Sequence, residues 1–96
     1  MFIDFTAAWC ITCQVNKKAV LNTDEIQNLF REEGVHLFKA DWTNYDQEIT
    51  DALASYQRNS VPLYVFYRQD VARPILLREL LTKDDIFNLF RQGESQ

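Results

Sequence analysis

The stretch Phe2-Ile3-Asp4-Phe5-Thr6-Ala7-Ala8-Trp9-Cys10-Ile11-Thr12-Cys13 runs a core-like strand into the start of a helix, with a cysteine pair at the junction. Phe2, Ile3 and Phe5 around a single Asp4 read as a short buried strand over residues 2–6. From Trp9 onward the period changes. Ile11, Val15 and Ala19 fall at i, i+4 and i+8, the apolar stripe of an amphipathic helix. A helix N-terminus favours a thiolate, because its unpaired N–H groups and its dipole both attract negative charge. Cys10, at the very end, is therefore expected to be the low-pKa, exposed nucleophile, and Cys13, one turn inside, the shielded thiol that resolves a mixed disulfide. A bare CxxC can equally be a structural or metal-binding pair. The strand before it, the helix after it and the flanking Trp9 favour redox chemistry, and zinc would need two more ligands although His36 is the only histidine.

Two further residues join this pair. Asp4 stands between strongly apolar neighbours, so desolvation is expected to raise its pKa. Six residues before Cys10, it is placed to exchange a proton with Cys13, directly or through water, unless it faces outward on an edge strand. Pro62, between Val61 and Leu63, opens a second apolar strand, a position where proline is common and usually trans. Beside a redox disulfide a cis Val61–Pro62 bond is the alternative. It would free the Val61 backbone to pair with an extended substrate peptide and leave no side-chain ligand facing the thiols.

Working outward, Asn22 with Glu25 predicts the capped start of a second helix with Ile26, Leu29 and Phe30 inward and Gly34 at its end. Residues 35–40 read as a strand, 46–57 as a helix burying Ile49, Leu53 and Tyr56, and 63–67 as a strand covered on both faces. A polar turn over residues 68–73 leads to a returning strand at Ile75, Leu76 and Leu77. Thr82 with Asp85 caps a last helix that buries Ile86, Leu89 and Phe90 and stops near Gly93. This order implies an α/β fold, a mixed central sheet flanked by helices on both sides, within one domain over residues 1–96. His36, Trp42 and the Tyr64, Phe66, Tyr67 group read as packing residues, and Arg31-Glu32-Glu33 as a solvated helix end.

Composition narrows the function. Ninety-six residues with 47% hydrophobic content, 2 Gly and 2 Pro exclude collagen-like and disordered classes. A net charge of −4 with no basic cluster argues against nucleic acid as a partner, and no apolar run reaches the length of about 18 residues needed to span a bilayer. No signal peptide precedes the first strand, and the abrupt entry from Met1 is that of a domain excised from a longer protein.

The combination resembles the thioredoxin superfamily, and more narrowly the C-terminal domain of the DsbD family of membrane thiol:disulfide interchange proteins. The likeness is carried by Ile3 through Asn16, by Lys39-Ala40-Asp41-Trp42-Thr43, by Val61-Pro62-Leu63-Tyr64-Val65 and by Glu79-Leu80-Leu81-Thr82. It implies a thioredoxin-like three-layer fold whose N-terminal strand and helix lie outside this chain. It implies a monomeric protein-disulfide reductase domain without a cofactor or metal, on the periplasmic side of the bacterial inner membrane. The partners it implies are a transmembrane domain that supplies electrons and an N-terminal domain of the same full-length protein. Beyond them lie periplasmic thiol proteins, including those of cytochrome c maturation. By this resemblance Cys10 attacks, Cys13 resolves and Asp4 modulates the proton, while Trp9, Ile11, Thr12, Val61 and Pro62 line the docking groove.

Three positions depart from the family pattern: Lys17 where many relatives carry an acid, Ser60 where glycine is frequent, and Arg78 where proline is frequent. The first bears on the thiol pKa values, the others on rim geometry. The rival readings are a disulfide-forming oxidase, a metal-binding CxxC module, and a redox-inert interaction domain.

Overall fold

The computed structural model describes residues 1–68 and 73–91. Its elements are β1 (Phe2–Thr6), α1 (Ile11–Asn16) continuing into a π-helical turn (Lys17–Leu21), α2 (Asp24–Glu32), β2 (Leu37–Asp41), α3 (Gln47–Ser55), β3 (Leu63–Phe66), β4 (Ile75–Leu76) and α4 (Lys83–Arg91). The strands form one mixed sheet in the order β2-β1-β3-β4. β1 runs parallel to β2 with Asp4 opposite Lys39, and antiparallel to β3 with Asp4 opposite Tyr64; β4 returns antiparallel to β3. The chain thus crosses from β2 through α3 to the far side of β1, so the two central strands, β1 and β3, carry the burial the sequence predicts.

Strand alternation sorts the core into two layers. Phe2, Tyr64 and Phe66 pack with Val20, Leu21, Ile26, Phe30, Leu81, Ile86 and Leu89, which places the π-helical turn, α2 and α4 on one face. Phe5, Leu63 and Val65 pack with Leu53 of α3, and with Cys10, Cys13, Trp42 and Val61, on the other. Fully burying each large apolar side chain in these layers contributes roughly 1.5–3 kcal/mol. Trimmed ends follow from hydrogen bonding. α2 closes in a Schellman motif, with Gly34 at φ 67°, Val35 N–H on Phe30 O (2.9 Å) and Gly34 N–H on Arg31 O (3.3 Å). That motif occupies Val35, and β2 starts at Leu37 rather than at residue 35.

Two local expectations are corrected. The cap of α2 is Thr23, not Asn22: the Asn22 N–H closes the π-helical turn on Lys17 O (2.7 Å), and the Thr23 hydroxyl takes the Ile26 N–H (3.4 Å). The stripe Ile11, Val15, Ala19 faces solvent, with Ile11 81% and Val15 47% exposed. Cys13, Asn16, Val20 and Leu21 form the inward face instead. Periodicity misplaced the face because its inward positions hold cysteine and a fully buried asparagine, and because the π-helical turn shifts the repeat. The capping box of α4 is present, with Thr82 N–H on Asp85 Oδ2 (2.9 Å) and Asp85 N–H on Thr82 Oγ1 (3.2 Å). Most of the turn expected over residues 68–73, and the stop at Gly93, lie outside the described residues.

Candidate active site

β1 delivers the chain to the C-terminal end of its strand, and a short turn over residues 7–9 carries it into α1. Ala7 O holds this turn, accepting from Cys10 N–H (3.2 Å) and from Gln14 Nε2 (3.0 Å). Cys10 is the N-cap of α1, in extended conformation at φ −88°, ψ 107°. Its Sγ accepts the Cys13 backbone N–H at 3.1 Å, so a group that a cap hydroxyl ordinarily satisfies is aimed at the sulfur. Cys10 and Cys13 are joined in a disulfide, with Cα atoms 5.2 Å apart. Cys10 is the more accessible of the two, but only just: 7% against 1%. The exposed nucleophile expected from the sequence is buried in the disulfide form, packed in one layer with Trp42 and Val61.

The Val61–Pro62 bond is cis, and both residues are buried. Trp9 stands half exposed, Ile11 almost fully exposed and Thr12 partly buried. Trp9 and Ile11 thus present apolar surface around the cysteines, while Val61 is covered.

Asp4 is 5% exposed on a central strand, which removes the outward-facing alternative. Burial raises its pKa to about 6, against an opposing pull from the Lys17 and Lys39 ammonium groups. Its Oδ1 has no hydrogen-bond partner among the described residues, and neither has the buried Thr6 hydroxyl. A cleft of about 170 Å³ lined by Thr6, Ala7, Ala8, Gln14, Lys17, Lys39 and Asp41 lies beside the turn. Lys17, one helical turn after Cys13, has its pKa lowered, first by desolvation and then by the neighbouring Lys39. Lys17 therefore has a definite place in the charge balance of this site.

Three residues that periodicity did not single out belong here. Asn16, fully buried, donates from Nδ2 to Tyr64 OH (2.9 Å) and Glu79 O (2.7 Å) and accepts the Leu81 N–H on Oδ1 (3.0 Å). Asp41 and Thr43 form an Asx turn, Asp41 Oδ1 accepting the Thr43 N–H (3.0 Å) and the Thr43 hydroxyl. The D-x-T spacing was the available signal for the turn; Asn16 entered only as the last residue of the stretch that carries the family resemblance, with no role read from it. Among the described residues no group of three or more His, Cys, Asp or Glu could hold a metal ion.

Residues 1–69 match the thioredoxin-like family. The chain belongs to that family. Thioredoxin-like structures agree with the assignment. The C-terminal domain of Neisseria meningitidis DsbD in its oxidised form is 26% identical and superposes with a TM-score of 0.79, covering 96% of this chain and 78% of that one. The reduced form of the same domain gives 0.77 at the same identity and coverage. A thioredoxin from Thermus thermophilus, 17% identical, shares the fold with a TM-score of 0.73 over 96% of this chain and 71% of its own. No curated protein matches. A thioredoxin-like fold with a Cys10–Cys13 disulfide at a helix N-terminus is the framework of a thiol–disulfide oxidoreductase.

Proposed function

We propose that this chain is a protein-disulfide reductase domain that relays electrons by dithiol–disulfide exchange. The observation that carries the reading is the disulfide at the N-cap of α1, its Cys10 sulfur facing the Cys13 N–H, in a chain that superposes on a DsbD C-terminal domain. In the reduced domain the Cys10 thiolate attacks one sulfur of a partner disulfide. A Cys10–partner bond forms and the first partner thiolate leaves. The Cys13 thiolate then attacks Cys10 Sγ, closes the ring and releases the second partner thiolate. Two electrons pass to the partner, and its two released thiolates take up protons from solvent. Asp4, its pKa raised to about 6, accepts the Cys13 proton as a carboxylate in this direction and returns it as the neutral acid when the domain is recharged. Trp9, Ile11, Thr12, Val61 and Pro62 form the docking rim.

In this reading the 96 residues form one domain of a larger protein on the periplasmic side of the inner membrane. It is monomeric and works without metal or cofactor. A transmembrane domain supplies its electrons; an N-terminal domain of the same protein and periplasmic thiol proteins receive them. Among the described residues no helix is long and apolar enough to cross a membrane.

Trapping tests the reading. Cys13→Ser is expected to accumulate a mixed disulfide through Cys10 when mixed with an oxidised protein partner, while Cys10→Ser accumulates none. Trapping by Cys10→Ser alone would reverse the two roles, and trapping by neither would remove the exchange mechanism.

A further inference from the structure

Beyond its own bonds to Ala7 O, the turn before Cys10 is held from outside. Two of its groups end on one residue of the β2–α3 loop: the Ala8 N–H donates to Thr43 Oγ1 (2.8 Å) and the Trp9 indole Nε1 donates to Thr43 O (3.0 Å). Thr43 is fixed in turn by Asp41, whose Oδ1 accepts both its N–H and its hydroxyl. A third bond, Trp42 N–H to Thr6 O (2.7 Å), fastens the same loop to the end of β1.

The far end of the loop supplies a ring. Tyr45 adopts φ 56°, a left-handed conformation that costs a non-glycine residue roughly 1–2 kcal/mol, and its N–H is held on Trp42 O at 3.0 Å. This places its ring stacked on Trp9, centroids 5.5 Å apart and planes 20° apart, with Trp42 edge-on to Tyr45 at 5.0 Å. Trp9 and Tyr45 nevertheless stay 47% and 61% exposed, so the stack is not core packing. A strained backbone that holds two open rings beside a reacting disulfide is a feature to be explained by what approaches that disulfide.

We propose that Thr43 is a positioning residue for exchange with protein disulfides: it locks residues 8–9 and, with Tyr45, fixes the Trp9 ring as a wall beside Cys10. A polypeptide partner needs that wall in place before its disulfide lines up with Cys10. A small disulfide does not span it. Thr43→Val removes the hydroxyl that takes the Ala8 N–H and reaches Asp41, while Thr43→Ser keeps it. Tyr45→Gly removes the ring at an exposed position and relieves the left-handed backbone, so this variant is expected to fold whatever happens to Thr43→Val.

The inference rests on the thiol–disulfide reading and is tested apart from it. Steady-state reduction of an oxidised model protein and of glutathione disulfide is measured for the wild type and the three variants. Thr43→Val and Tyr45→Gly are expected to lower the ratio of kcat/KM for the protein over that for glutathione disulfide by about five- to tenfold, the size of one lost oriented contact. The loss is expected in KM, with Thr43→Ser restoring the wild-type ratio. An unchanged ratio in both variants, with the wild type active on both disulfides, overturns the positioning role alone. A wild type inactive on both overturns the exchange reading beneath it.

Discussion

Asp4 and Asn16 both neighbour one buried tyrosine, and their environments differ in kind. Asp4 faces Tyr64 across the β1–β3 ladder, and Asn16 hydrogen-bonds the Tyr64 hydroxyl from α1. Each is nearly or fully sealed from solvent. Every polar atom of the Asn16 side chain is engaged, on Tyr64, Glu79 and Leu81, which ties the cysteine helix to the segment before α4. Asp4 keeps an oxygen with no partner among the described residues, and its pKa climbs to about 6 through burial. A satisfied buried amide anchors structure. A buried carboxylate left short of partners is unstable when charged, and that instability is what the proposed proton exchange with Cys13 draws on.

The largest effect that separates the two is on stability. Asn16→Ala strands the Leu81 N–H, the Glu79 carbonyl and the Tyr64 hydroxyl together, and is expected to cost about 4 kcal/mol in urea unfolding at pH 7. A cost under about 1 kcal/mol would mean that the anchor is not one.

Asp4→Asn is expected to move stability the other way, and only at high pH. The folded pKa of about 6 lies above the model-peptide value of 3.8, so the unfolded state ionises first as pH rises. Folding stability is therefore full below about pH 4, declines up to about pH 6 and is then level, a loss of roughly 3 kcal/mol. Removing the titrating group should return that amount at pH 7.5 and leave pH 3.5 unaffected. The same substitution is expected to slow disulfide exchange about ten- to a hundredfold and to remove an inflection near pH 6 from its rate profile. An unaltered profile would take Asp4 out of the mechanism.

The smallest effect belongs to a site remote from both. Thr82→Ala removes one cap bond of α4 and is expected to cost about 1 kcal/mol by thermal or urea unfolding. Exchange rates should not move; if they fell, the α4 end would be coupled to the cysteines.

What was legible in the sequence follows the same division. Strands β1 and β3 were readable because apolar residues fill both faces, and α4 because its capping box is local. The cysteine pair was readable because its chemistry depends on spacing along one turn. The inward face of α1 was not, since a satisfied asparagine owes its place to Tyr64, Glu79 and Leu81, residues 48 to 65 positions away. The contacts of Thr43 were hidden for the same reason: its partners Ala8 and Trp9 precede it by 35 and 34 residues. The burial of Cys10 likewise depends on Trp42 and Val61, which only the folded chain brings into its layer.

The reduction potential of the Cys10–Cys13 pair, measured by equilibration against a glutathione series with both thiols quantified, tests the proposed direction of transfer most directly. A value of about −230 mV or lower is expected for a domain that delivers electrons to protein disulfides. A value near −120 mV, that of strong disulfide-forming oxidants, would contradict the reductive relay while leaving the fold and the two cysteines in place.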